Sequence, residues 1–450
     1  MINPRKAQPV LRATLYSLPL VYLLAAAETA VAQESNTWMS VGLAVEHTDN
    51  IDRIEAGGRD ETTISGLSEF QITASGRRYD LLLDGVLNYS TFQNDTSDDE
   101  FRGNAFSELV LNVAGEGVQW ITQDNFGQVR RVVTAPDTPD NRENINVFRT
   151  GPRLATRLGQ RSALSLQAFY QRSQYEDSLQ DSDSLAGVLV LGRTISPRTD
   201  LSLNLSARQV EFDESELFND YDINEAYFGW TTAGARTRLE FEAGYTEVSE
   251  DTNDENGSLF RLQLARDVSS RSRLTFDART ELTTSEDAFR FTQQLGRPEL
   301  TTQAQGADAE PFRLNFFGLA WQTTGDRLAL NAEVSFDSRE FIETTTEDRE
   351  RALARVGATR TLSGNFALGV FAEYSDESFD NEAEDFDEFV VGLRMDFRPI
   401  RRMQVAAVVS RVDRSTDVQN LSFEETLARL TITYDVFGDR SLADRRRLGR

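Results

Sequence analysis

Segments of roughly ten residues, apolar and polar in alternation, recur along this chain from Trp38 to Phe437. The gaps between them alternate as well, a tight Gly/Ser/Arg turn followed by a long acidic loop. Period-two patterning puts one set of side chains on each face of a strand. Leu201, Leu203, Leu205 and Ala207 alternate with Ser202, Asn204, Ser206 and Arg208; Leu328, Leu330, Ala332, Val334 and Phe336 alternate with Ala329, Asn331, Glu333 and Ser335. A chain of such hairpins closes most readily into an all-β, antiparallel up-and-down barrel. Its apolar set then faces lipid and its polar set a wet lumen, the signature of a transmembrane β-barrel. A soluble β-sandwich would show the same alternation with the apolar face inward. Twenty strands with short and long connections in strict rotation favour the barrel.

The strands are expected at about 38–48, 62–75, 78–92, 103–113, 118–128, 144–157, 162–175, 184–195, 199–212 and 223–233. The second ten fall at about 236–249, 258–268, 272–285, 312–324, 327–339, 351–361, 365–375, 389–398, 402–412 and 426–436. The count drops to 18 if a weak pair, such as the segments flanking 129–143, is misread. Nine connections are turn-length and ten are long, which places both barrel ends on the short-turn side. Short turns face the periplasm in bacterial barrels, so the long loops are expected outside the cell. Aromatics near strand ends (Trp38, Tyr79, Tyr89, Phe92, Tyr170, Tyr175, Tyr245, Tyr374 and Tyr434) suit interfacial girdles, although ordinary cross-strand pairing would yield a similar set.

The first 32 residues read as a secretory signal peptide. Arg5, Lys6 and Arg12 precede an apolar run from Leu15 to Ala27, and Ala30-Val31-Ala32 is a small-residue cleavage site. Residues 33–437 then form the outer-membrane barrel, and 438–450 a basic periplasmic tail. Outer-membrane lipid and lipopolysaccharide are the expected surroundings of a monomer. Only about five residues separate the cleavage site from the first strand, which leaves no room for an N-terminal plug domain. The longest loop, 286–311, contains Phe289, Phe291, Leu295 and Leu300 and is the candidate to narrow the lumen.

Net charge is −26, unevenly spread. The ten long loops carry 47 of the 73 Asp and Glu but nine of the 47 Lys and Arg, so the rest of the chain is net basic. An acidic rim argues against nucleic acid as a partner. Carboxylates at this density invite comparison with Ca²⁺ loops, but 251–257 lacks the required Gly and Glu spacing, and solvated, mutually repelling loops fit better. With no Cys, disulfides and thiolate metal sites are excluded. The one histidine, His47, has Asp49 two residues on, yet no serine stands out as a nucleophile. No enzyme activity and no cofactor are therefore expected.

The candidate pore-lining residues are Arg149, Arg153, Arg157, Arg261, Arg279, Arg351, Arg355 and Arg394, with Glu240, Glu242 and Glu333 beside them. A charged lining that selects solutes competes with a rigid ion-pair lattice that simply fills the lumen.

The run Val45-Glu46-His47-Thr48-Asp49-Asn50-Ile51 at the end of the first strand, the stretch Gly66–Ser75 and Arg78-Tyr79-Asp80-Leu81 resemble the β-barrel porin 2 group of outer-membrane proteins. That group is associated with exopolysaccharide and exosortase (PEP-CTERM) systems. The resemblance implies a channel serving exopolysaccharide export or solute passage, with polysaccharide or periplasmic export components as partners. The alternative is a non-conducting structural or assembly barrel that anchors envelope partners.

Overall fold

The computed structural model describes residues 34–115, 117–250, 254–294, 310–342, 348–380, 385–418 and 421–438. The segment 1–32 expected to be a signal peptide, the tail beyond Gly438, and Leu295 and Leu300 of the longest loop lie outside the described residues, as does the side chain of Phe291.

Twenty strands form one closed, all-antiparallel sheet in which each strand pairs with its neighbours in sequence. They are β1 (Glu34–Thr48), β2 (Glu61–Ser75), β3 (Tyr79–Phe92), β4 (Glu100–Asn112), β5 (Val118–Arg130), β6 (Arg142–Arg157) and β7 (Ser162–Tyr175). Next come β8 (Ser182–Ser196), β9 (Thr199–Phe212), β10 (Tyr221–Ala233), β11 (Thr237–Glu250), β12 (Asp254–Ser269), β13 (Ser272–Thr283) and β14 (Phe312–Thr324). The ring ends with β15 (Leu328–Phe341), β16 (Arg349–Ser363), β17 (Phe366–Phe379), β18 (Phe386–Ile400), β19 (Met403–Thr416) and β20 (Phe423–Phe437). β1 and β20 close the ring antiparallel, from Met39 opposite Phe437 to Thr48 opposite Leu427. Closure leaves no strand with a free edge.

The expected strands are all present, and β7, β9 and β14 match residue for residue. Most others run further toward the long-loop end: β12 begins at Asp254 rather than 258, and β18 at Phe386 rather than 389. Ladder hydrogen bonds hold these polar extensions, and such bonds do not require an apolar face. The connection after β11 is consequently three residues, not the seven expected. A helix, α1 (Ser285–Gln294), occupies the start of the longest connection, where a loop was expected.

Alternation sorts the two faces as the sequence implies. Leu43, Leu203, Leu205, Val370, Leu393, Leu430 and Ile432 are exposed on the exterior, an apolar wall that is stable against lipid rather than water. At about 3.3 Å per residue, 12- to 16-residue strands tilted ~40° suffice for a hydrocarbon layer of ~25–30 Å. Tyr89, Tyr170, Tyr245, Tyr374 and Tyr434 are exposed on this outer face as a girdle requires. Trp38, Phe92 and Tyr175 are not part of it. They have the opposite parity and are buried on the lumen side, with Trp38 Nε1 donating to Asp435 at 3.3 Å. A charge placed on the outer belt should be costly: Leu205→Arg, near the middle of β9, is expected to lose about 2–4 kcal/mol in urea unfolding from lipid vesicles. A loss below half a kcal/mol would show that this wall does not meet lipid.

Candidate functional site: a constricted lumen

Two segments fold inward from the long-loop end. α1 begins where Thr284 Oγ1 caps the helix by accepting the Asp287 N–H at 3.3 Å, with Glu286 and Asp287 placed favourably in the first turn. It leaves the wall between β13 and β14 and crosses to the other side of the ring. Ala288 packs on Phe312 and Phe341 near its root. Phe289 is buried among Val129, Ile145, Val147 and Tyr175 of β5–β7. The Asp287 carboxylate meets Arg208 of β9 at 2.6 Å and Arg290 at 3.3 Å. Burial alone would push the Asp287 carboxyl up, but Arg208 and Arg290 outweigh it and hold it down at about 2.

The second segment is the strap 131–141 between β5 and β6, which leans across the mouth toward β17, β19 and β1. Asn141 ties it internally, accepting from Val132 N at 2.9 Å and donating to Val132 O at 2.8 Å and Pro136 O at 3.0 Å. Arginines then fasten it. Arg142 pairs with Asp137 at 2.5 Å, Arg53 donates to the Asp137 carbonyl at 2.9 Å, and Arg414 donates to the Thr134 carbonyl at 2.6 Å. At the strap's root Arg130 faces Glu377 of β17 at 3.6 Å, and Glu377 also holds Arg351 at 3.2 Å. Partial burial would raise the Asp137 carboxyl, but Arg142 and its neighbours hold it at about 2.

Between α1 and the wall of β6–β16 lies a cavity of about 570 Å³. Arg149, Glu240, Glu242, Arg261, Arg279 and Arg351 line it, and Arg208, Glu225, Asp287, Arg290, Asp337 and Arg339 join them. Arg261 is the hub of its acidic side, paired with Glu242 at 3.1 Å, Glu225 at 3.4 Å and, most closely, Glu281. Arg279 bridges Asp277 at 3.0 Å and Glu281 at 3.6 Å.

The other expected lining residues face the lumen away from this cavity. Arg153 donates to the Gln119 side chain. Arg355 pairs with Glu373 at 2.6 Å, and Glu333 sits opposite Arg355 in the ladder. Arg157 and Arg394 lie near the short-turn end, Arg394 half-exposed and paired with Asp396 at 2.8 Å. His47 has outward parity and shares a 3.1 Å hydrogen bond with Thr62, while the Asp49 carboxylate accepts the Thr426 N–H at 2.7 Å. The two side chains therefore serve different partners.

Arg208, Arg290 and Asp287 were not singled out from the sequence as site residues. Their role depends on a helix brought across the ring, although Thr284-Ser285-Glu286-Asp287 is a legible helix start. Of groups of three or more His, Cys, Asp or Glu placed to hold a metal ion, none occurs among the described residues.

No family model matches the chain, and none of the curated proteins matches it. Among solved structures, similarity is found to the copper transporter OprC, at 10% identity and a TM-score of 0.46, covering 90% of this chain and 81% of that one. The FrpB iron transporter from Neisseria meningitidis (F5-1 variant) is similar at 8% identity and a TM-score of 0.46, covering 90% and 83%. In-vitro folded OmpT, an outer membrane protein of Vibrio cholerae, is similar at 10% identity and a TM-score of 0.36, covering 90% and 100%. The likeness concerns the barrel alone.

Proposed function

We propose that this chain is an integral outer-membrane channel that passes small polar solutes through a lumen narrowed by α1 and the strap. The observation that carries this reading is the charged cavity of about 570 Å³ beside α1. Its size is that of a small-molecule site rather than of a bare lumen, and its lining is set with charged side chains where a purely structural filler would serve as well with apolar ones. The apolar exterior supports the membrane setting, and the nine short turns support an orientation with the long acidic loops outside the cell. Exopolysaccharide export, which the resemblance to the porin 2 group implies, would require α1 and the strap to swing aside for a polymer. Passage of small solutes requires no such movement.

The competing reading is a non-conducting barrel that anchors envelope partners. It is favoured by one observation, that α1 and the strap each reach across the mouth. Planar-bilayer recording of the purified, folded protein separates the two. Small, steady, ion-selective steps are expected of the channel, and silence from folded protein would transfer the case to the anchor.

A further inference from the structure

The cavity beside α1 is electrically lopsided. On one side Arg261 is shared by three carboxylates, Glu225, Glu242 and Glu281. On the other, Arg149 of β6, Arg208 of β9 and Arg290 of α1 converge, and the one carboxylate in ion-pair contact with any of them among the described residues is Asp287. Arg208 and Arg290 are both engaged by Asp287. Arg149 is not, and no described carboxylate lies within ion-pair distance of it. Its guanidinium carbon lies over Phe169, 3.1 Å from the ring centroid, and its Nε is buried with no hydrogen-bond partner.

A ring face takes up none of a guanidinium's N–H donors as a carboxylate would, so a cation seated over it still has donors to offer. Its desolvated Nε–H is costly to leave unmet, and the fork it presents matches a planar carboxylate in a bidentate pair. Stacking fixes its orientation before any ligand arrives, which lowers the entropic cost of binding.

From this geometry we propose that Arg149, backed by Arg208 and Arg290, forms a binding subsite for the carboxylate of a small acidic solute in the lumen. The carboxylate-rich side around Glu240 and Glu242 then receives the hydroxyls or ammonium of the same molecule. The solute class is an acidic polyol or a zwitterion, uronate-like rather than a neutral sugar. The assignment rests on the open-lumen reading above and narrows it to a substrate class.

The test is isothermal titration of the detergent-folded barrel with glucuronate, glucose and glucosamine, run beside bilayer recording of the same preparations. Glucuronate is expected to bind and to block current at low salt, while glucose and glucosamine bind at least about tenfold more weakly. Arg149→Gln should weaken glucuronate about tenfold or more, the worth of a charge-assisted bidentate contact. Arg193→Gln, exposed on the outer face of β8, removes the same charge and should bind as wild type. Heat-modifiable migration on gels checks that each variant is folded. Equal binding of glucuronate and glucose, or unchanged glucuronate binding in folded Arg149→Gln, overturns the subsite. A barrel that binds glucuronate but never conducts keeps the subsite and sinks the channel, whereas one that conducts without binding does the reverse.

Discussion

Excising Glu286–Gln294 and joining the flanking residues through a short Gly-Ser link should raise single-channel conductance several-fold. A wall of twenty strands is wide enough to leave an aqueous channel unless something fills it, and α1 is buried across that space. Acid should do reversibly what the deletion does permanently. The Asp287 carboxyl, which burial would raise, is held at about 2 by Arg208 and Arg290, against ~3.9 in an unfolded chain. A depressed carboxylate stabilises docking at any pH above the unfolded value. That contribution fades as pH falls from about 4 toward 2 and the native ion pairs are protonated away. Current recorded across that window should step upward in the wild type, and Asp287→Asn should show the higher level already at neutral pH. A deletion variant with wild-type conductance would mean that α1 does not limit the lumen.

The largest loss of stability from a single lumen substitution is expected at Arg261. Arg261→Ala leaves Glu225 of β10, Glu242 of β11 and Glu281 of β13 without their shared cation, with Arg279 remaining for Glu281 alone at 3.6 Å. Removing one partner of a fully buried pair costs about 3–5 kcal/mol. The Arg261 side chain keeps 26% of its surface open to the lumen, so water screens part of that and about 2–4 kcal/mol is expected. Urea unfolding of the barrel folded in vesicles measures it. Arg261→Lys should fall between, because one ammonium keeps the charge but cannot fork to three carboxylates. A midpoint in Arg261→Ala equal to wild type would mean that the acidic side is solvated on its own and the ion-pair hub contributes nothing.

How much of this was legible beforehand follows a physical division. The wall was written in the sequence because a strand exposes its pattern residue by residue: Leu203 and Leu205 outward and Ser206 and Arg208 inward follow from period two alone, whatever lies across the ring. Turn residues at Ser75-Gly76-Arg77 and Ser196-Pro197-Arg198 fixed the hairpins for the same local reason. Strand ends beyond the belt were less legible, since above the lipid both faces meet water and polarity no longer alternates. Parity also corrected the girdle, moving Trp38, Phe92 and Tyr175 to the lumen although their position along the chain suited an interface.

The filling of the lumen belongs to the other category. Phe289 and its neighbours signalled that the longest loop had something to bury, but not that it would form a helix reaching β5–β7. The convergence of Arg149, Arg208 and Arg290 joins residues 59 and 82 positions apart, and no local period connects them. The sequence by itself determined a barrel with a lipid-facing belt and a charged interior, because alternation and turn chemistry act between near neighbours. Only the tertiary structure decided which charges meet, because closing twenty strands into a ring sets distant strands and an inward helix opposite one another. Ion pairs in a lumen are made by that opposition.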